Sequence, residues 1–238
     1  MDAASQSGLT VPIRNGLVQR DWRCCGEEDS MEAQAAYAKS TSFDFVANEG
    51  DMYDAMDLDH YDYVVTLRDS KSRYKSMWAQ WQRDPVLFFL GRMNFTEFCD
   101  WFHEDNFIVR KVCGTRCMGK PKYTVTREDF YYTLKRMENF TDILFLEDFD
   151  ASYAKFAKKH GWSAPAEKKR LSSTFGISTA KSDEDEWDSR MSALDDALYE
   201  FAKRLDHGEF PYQFSEEKSK NLQKYFSANE PQKGSTER

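Results

Sequence analysis

The stretch Tyr63–Trp78, YVVTLRDSKSRYKSMW, decides how the rest of the chain is read. The run YDYVVTL (61–67) is apolar and rich in aromatic and β-branched residues, which predicts a buried strand. It stops at Arg68, and the chain turns basic and hydroxyl-rich. A helix is predicted from about Ser70, with Tyr74, Met77, Trp78 and Trp81 on one face, ending before Pro85. In open α/β sheets, ligands sit beyond the carboxyl ends of strands, where helix N-termini present free N–H groups. Arg68 falls at such an end, and Ser76 follows about two turns into the helix. A planar guanidinium beside a hydroxyl suits a phosphate, with two parallel charge-assisted bonds from arginine and one neutral bond from serine. The same spacing also fits a strand leading into a basic surface helix, with Arg68 paired to a carboxylate.

Outward from this segment, SMEAQAAYAK (30–39) reads as a short helix and SFDFVA (42–47) as an alternating strand. TDILFLED (141–148) reads as another buried strand. NFTEFCDWF (94–102) and REDFYYTLKRMEN (127–139) carry aromatic and apolar residues at helical spacing, and ASYAKFAKKHG is a helix closed by Gly161. The longest predicted helix spans 183–206, where Trp187, Met191, Leu194, Leu198, Phe201 and Leu205 alternate steps of four and three. Strands alternating with helices predict an α/β fold, a parallel sheet flanked by helices. Three regions are expected: a partly irregular N-terminal extension over 1–41, a domain over 42–214, and a polar, disordered tail over 215–238. Residues 163–183 form one long loop, of a size that is often functional.

The 238 residues are 40% hydrophobic and 15% aromatic, enough to build a core and far from a disordered composition. A net charge of −8 argues against a general nucleic-acid binder. Basic groups nonetheless gather at 68–75, 110–122 and 155–170, where they serve either as solvated faces or as local sites for a small polyanion. The longest apolar runs, VLFFL (86–90) and ILFL (143–146), are far below the roughly 20 residues of a membrane span, and the N-terminus lacks a signal-peptide pattern. Against a cytosolic reading stand two glycosylation acceptors, Asn94-Phe95-Thr96 and Asn139-Phe140-Thr141, and a Cys113/Cys117 pair able to close a short disulfide loop. No metal is expected, because only one spaced cysteine pair is present and no histidine pair follows it at ligand spacing.

The opening stretch resembles the 3′-phosphate-binding segment of the Golgi carbohydrate sulfotransferases, especially the heparan sulfate 6-O-sulfotransferase-like group. The shared pattern is an apolar strand, Leu-Arg-Asp, Ser-Arg-Tyr, and a serine eight residues after the first arginine. The resemblance continues through DNFIVRKVCG (105–114), ENFTDILFLEDFDASYAKFAKKHGW (138–162) and LDDALYEFAKRL (194–205), covering roughly 42–210. It implies a P-loop NTPase-like sulfotransferase fold and 3′-phosphoadenosine 5′-phosphosulfate as co-substrate, without a metal. The partner would be a glycan or proteoglycan acceptor in the Golgi lumen, and the membrane would be reached only through an anchor that this chain does not carry. Arg68 and Ser76 match the residues that hold the 3′-phosphate. Ser173 and Thr174, in KKRLSSTFG (168–176), match a loop that closes over the nucleotide. Asn106 and Arg110 match a segment near cofactor and acceptor, although periodicity alone makes 105–114 an amphipathic helix with a basic exposed face.

The chain departs from the family at two places. The family's first strand leads into a Lys-Thr-Gly-type loop that cradles the 5′-phosphosulfate, and no such loop occurs here. AKSTSF (38–43) offers Lys39, but in the order helix, lysine, strand, so the fold is expected to be N-terminally incomplete. The 6-O-type enzymes place a catalytic histidine just after the strand matching SFDFVA; this sequence reads VANEGDM there, which leaves Glu49 as the candidate base or as a solvated turn carboxylate. His60, His103, His160 and His207 do not match a family base. Two other classes compete: a P-loop phosphotransferase, which would need a Gly-x-x-x-x-Gly-Lys-Ser/Thr loop that is missing, and a catalytically inactive nucleotide-binding or structural remnant of the same fold.

Overall fold

A computed structural model describes residues 13–14, 17–18, 58, 62–81, 93–102, 104–162, 188–209 and 212–229. The readings made for 30–47, for Lys39, Glu49, His60 and His103, and for the loop carrying Ser173 and Thr174 lie outside these residues.

Strands β1 (Ile13–Arg14) and β2 (Leu17–Val18) pair antiparallel as a minimal ladder. The pairing that matters for the site is parallel: β3 (Val64–Leu67) runs beside β4 (Asp142–Phe145), with Val64 opposite Asp142 and Leu67 opposite Phe145. Helices α1 (Ser70–Trp81), α2 (Phe95–Trp101), α3 (Phe107–Cys113) and α4 (Arg127–Met137) form the crossover between these strands. Helix α5 (Phe149–His160) follows β4, and α6 (Ala193–Asp206) and α7 (Glu216–Asn229) complete the order. The chain is therefore mostly helical around a small parallel sheet, which has α/β character.

Local signals explain most boundaries. Asn94 and Thr126 each cap a helix through a reciprocal box, with Glu97 and Asp129 at the third helical position. Gly161 ends α5 at φ 68°, the left-handed conformation that glycine adopts without Cβ strain. Strand β4 is shorter than expected because residues 146–148 tighten into a 3₁₀ turn before α5.

Two apolar clusters hold these elements. The larger packs β3 and β4 against α3, α4, α6 and α7 through residues such as Leu67, Val109, Phe130, Phe145, Leu198 and Tyr225. The smaller joins α1 to α2 through Tyr74, Trp78, Phe95, Phe98 and Phe102, with Met191 closing it. Tyr74 and Trp78 bury one face of α1, as its spacing predicts. Asn94 and Asn139 are both exposed. Cys113 and Cys117 are joined at an S–S distance of 1.90 Å.

Two expectations are corrected. Residues 216–229 form α7, whose Leu222, Tyr225 and Phe226 are buried in the larger cluster, instead of belonging to a disordered tail. Their spacing of three and then one makes a narrow stripe that packs although the surrounding composition is polar. The predicted helix over 183–206 begins only at Ala193 among the described residues, after a separate 3₁₀ turn at Ser189–Met191. A continuous helix would bond the Asp195 amide to the Met191 carbonyl. Asn106 takes both groups: its own amide donates to Met191 O (2.7 Å), and its Oδ1 accepts from Leu194 N (2.8 Å) and Asp195 N (3.4 Å).

Asp129 links the start of α4 to the disulfide-bearing turn. Its carboxylate is capped by Thr126 N and paired with Arg116 and Lys120. Burial alone would raise its pKa, but these hydrogen bonds outweigh that and lower it to about 2. A carboxylate whose folded pKa lies below its unfolded value stabilises above the unfolded pKa and loses that contribution as pH falls through the folded one. Asp129→Asn should therefore cost about 1–2 kcal/mol at neutral pH, discounted because both cationic partners are partly exposed. The difference from wild type should fade between about pH 4 and pH 2 in urea melts. A difference that persists undiminished at pH 2 would assign the effect to packing.

Candidate functional site

Where β3 ends, the chain passes through Arg68 and Asp69 into α1, and Asp69 caps that helix by accepting from Ser72 N (2.9 Å). The Asp69 amide donates to Glu147 Oε1 (2.8 Å), and Glu147 Oε2 accepts from Tyr199 OH (2.7 Å). Glu147 thus ties the carboxyl ends of both strands to α6. Burial would raise its pKa, but the Tyr199 and Asp69 hydrogen bonds outweigh this and lower it from its ordinary value.

A cleft opens beside this tie, lined by Leu67, Arg68, Ser70, Ile108, Asp195, Leu198 and Tyr199. It encloses about 10 Å³, room for a single oxygen-sized group. Ser70 is buried and hydrogen-bonds to Asp196. Asp195 is 3% exposed and caps α3 from a distance of 86 residues in sequence, accepting from Val109 N (2.8 Å) and Ile108 N (3.1 Å). Burial pushes its carboxyl up to about 7, against the pull of those two amides and of Arg73.

The sequence-derived site residues separate in this frame. Arg68 is half-buried in the cleft, and no hydrogen bond or ion pair engages its guanidinium among the described residues. Ser76 is exposed and does not line the cleft. Two residues along a helix turn a side chain by about 200°, so Ser76 points away from the Tyr74 and Trp78 face.

Asn106 and Arg110 are interior residues. Asn106, at φ 48° and ψ 52°, caps α6 as described and donates from Nδ2 to Asp105 Oδ2 (2.6 Å) and to Arg190 O (3.3 Å). Arg110 is 1% exposed and commits all five N–H donors inward. Nε goes to Asp105 O, Nη1 to Cys117 O and Lys120 O, and Nη2 to Asp105 Oδ1 and Pro121 O. The basic exposed face anticipated for this helix therefore does not include Arg110, whose charge is matched by Asp105 at 2.5 Å. The sequence around Arg110, FIVRKVCG, gave no hint of the four carbonyls waiting for it.

No family model matches the chain. Comparison with curated proteins and with solved structures likewise finds no match.

The sequence reading missed Arg73. It lies one turn into α1, about 60° round the helix from Ser70, and its guanidinium sits 5.8 Å from the centre of the Phe107 ring. Its Nε and Nη2 are buried without a hydrogen-bond partner. Helical periodicity carried the signal, since residues 70, 73, 74 and 77 share one face. One metal-like grouping occurs among the described residues: Cys113, Cys117 and Asp129 bring their ligand atoms within 4.8 Å of one another. The two sulfurs are bonded to each other and the carboxylate is held by two cations, so no free thiolate is offered there.

Proposed function

We propose that the chain is a carbohydrate sulfotransferase-like protein of the Golgi lumen, holding 3′-phosphoadenosine 5′-phosphosulfate by its 3′-phosphate at Arg68. The observation that carries this reading is the position of Arg68: just past the carboxyl end of a parallel strand, lining a cleft, with no hydrogen bond or ion pair to its guanidinium among the described residues. The resemblance of 63–78 to the 3′-phosphate segment of that family supplies the ligand. In the transfer step, the acceptor hydroxyl oxygen bonds to sulfur as the bond from sulfur to the phosphate oxygen breaks. The hydroxyl proton passes to a base, for which Glu49 is the candidate, and adenosine 3′,5′-bisphosphate leaves. Asn106 and Arg110 take no part in this proposal, because their polar atoms are engaged inside the protein.

Arg68→Ala should weaken adenosine 3′,5′-bisphosphate at least tenfold, about 1.4 kcal/mol, by calorimetric titration. Ser76→Ala should leave affinity unchanged. Adenosine 5′-monophosphate should bind poorly to wild type and ignore either substitution. Equal affinity for the two nucleotides would sink the 3′-phosphate reading. A second reading, a nucleotide binder without transfer activity, is favoured by the lack of a Lys-Thr-Gly-type loop in the sequence. Nucleotide binding without any sulfuryl transfer to glycan acceptors would select it.

A further inference from the structure

We propose that Arg73 is the second phosphate-holding side chain of this site, forming with Arg68 a two-arginine clamp for a phosphomonoester dianion. This deepens the reading of Arg68 as a phosphate ligand and rests on it. Buried guanidinium donors are nearly always satisfied, and leaving them unmade is costly. Arg73 Nε and Nη2 are buried and unsatisfied, while its Cζ lies over the Phe107 ring, 5.8 Å from the centroid. The neighbouring carboxylate does not resolve this. Asp195 attracts Arg73, but its two oxygens accept from Ile108 N and Val109 N, and no hydrogen bond joins it to Arg73.

The surroundings select the ligand's charge. After burial and Asp195, Arg68 is the next influence on Arg73, and a repulsive one. Two guanidinium groups that repel each other are relieved by an anion between them, and a dianion relieves both. Ser70 and Asp195 line the cleft with Arg68, and Arg73 follows Ser70 on the same face of α1, within electrostatic reach of both Asp195 and Arg68. Two arginine forks fit the several oxygens of a phosphate better than the single plane of a carboxylate.

Three ligands separate the sources of phosphate: adenosine 3′,5′-bisphosphate, adenosine 5′-monophosphate and inorganic phosphate. With the full chain, Arg73→Gln should weaken the bisphosphate at least tenfold, as Arg68→Ala does, and Arg73→Lys should fall between it and wild type. The 5′-monophosphate should respond to none of them. In wild-type protein labelled with ¹⁵N-arginine, the Nε–H resonances of both Arg68 and Arg73, assigned through lysine variants, should shift together as bisphosphate is added. That measurement needs no destabilised variant and decides the matter if Arg73→Gln does not fold. Movement of the Arg68 resonance alone, or wild-type affinity in folded Arg73→Gln beside a weakened Arg68→Ala, overturns the clamp and leaves Arg68 as the site. Inorganic phosphate binding as tightly as the bisphosphate keeps the clamp and overturns the nucleotide reading. No response of either arginine overturns both.

Discussion

Arg110→Ala should remove about 3–5 kcal/mol of stability, the range for stripping one partner from a buried ion pair. Asp105 is 0% exposed, and without Arg110 it keeps only Tyr225 OH (2.8 Å) and Asn106 Nδ2 (2.6 Å) to offset its charge. The carbonyls of Asp105, Cys117, Lys120 and Pro121 lose their donor at the same time. Arg110→Lys should recover only part of the loss, since an ammonium cannot span a fork built for five N–H groups. Paired Asp105→Asn and Arg110→Met substitutions should do better than Arg110→Met alone, because they remove the orphaned charge. Urea melts followed by circular dichroism measure all four. A loss below about 1 kcal/mol for Arg110→Ala would mean that water enters and takes over the role of the guanidinium.

Asn106→Ala should cost about 3–4 kcal/mol, assembled from three sources. Alanine at φ 48° bears roughly 1 kcal/mol of backbone strain. Loss of the cap on α6 contributes about 1–2 kcal/mol. The buried Asp105 carboxylate loses the Asn106 Nδ2 donor, about 1 kcal/mol more. Asn106→Gly removes the strain and none of the other losses, so it should be about 1 kcal/mol milder than alanine. Asn106→Asp keeps the acceptor for Leu194 N but sets a second carboxylate against Asp105. It should therefore be destabilised most above the carboxylate pKa range and improve as pH falls. Glycine and alanine variants of equal stability would show that the left-handed backbone is not strained.

Short-range signals in the sequence predicted elements well, and long-range partners were invisible to it. The strand ending at Leu67, and the helices starting at Ser70, Phe95 and Arg127, follow from apolar periodicity and from capping residues three positions apart. The Cys113–Cys117 bond follows from spacing within one turn. The start of α6 does not, because the residue that breaks the helix lies 88 positions earlier. The same limitation hid Arg110: a basic cluster over 110–122 looks solvated until the turn at 117–121 folds its carbonyls around one of its members. Ser76 illustrates a different limit. Eight residues from Arg68 is a separation in sequence, and the helix converts it into a direction, away from the cleft.

The exchange of caps between α3 and α6 bears on when the molecule can fold. A seven-residue helix such as Phe107–Cys113 does not persist alone, since nucleation is unfavourable and few bonds follow it. Two of its leading amides are satisfied only by Asp195, and the leading amides of α6 only by Asn106. Each helix supplies what the other lacks, so neither start is complete until residues 106 and 195 meet. On the ribosome, the segment around Asn106 emerges and waits while the following eighty-odd residues are made. During that interval Asn106 has nothing to cap. Tertiary structure at this junction therefore closes only when the Asp195 segment arrives.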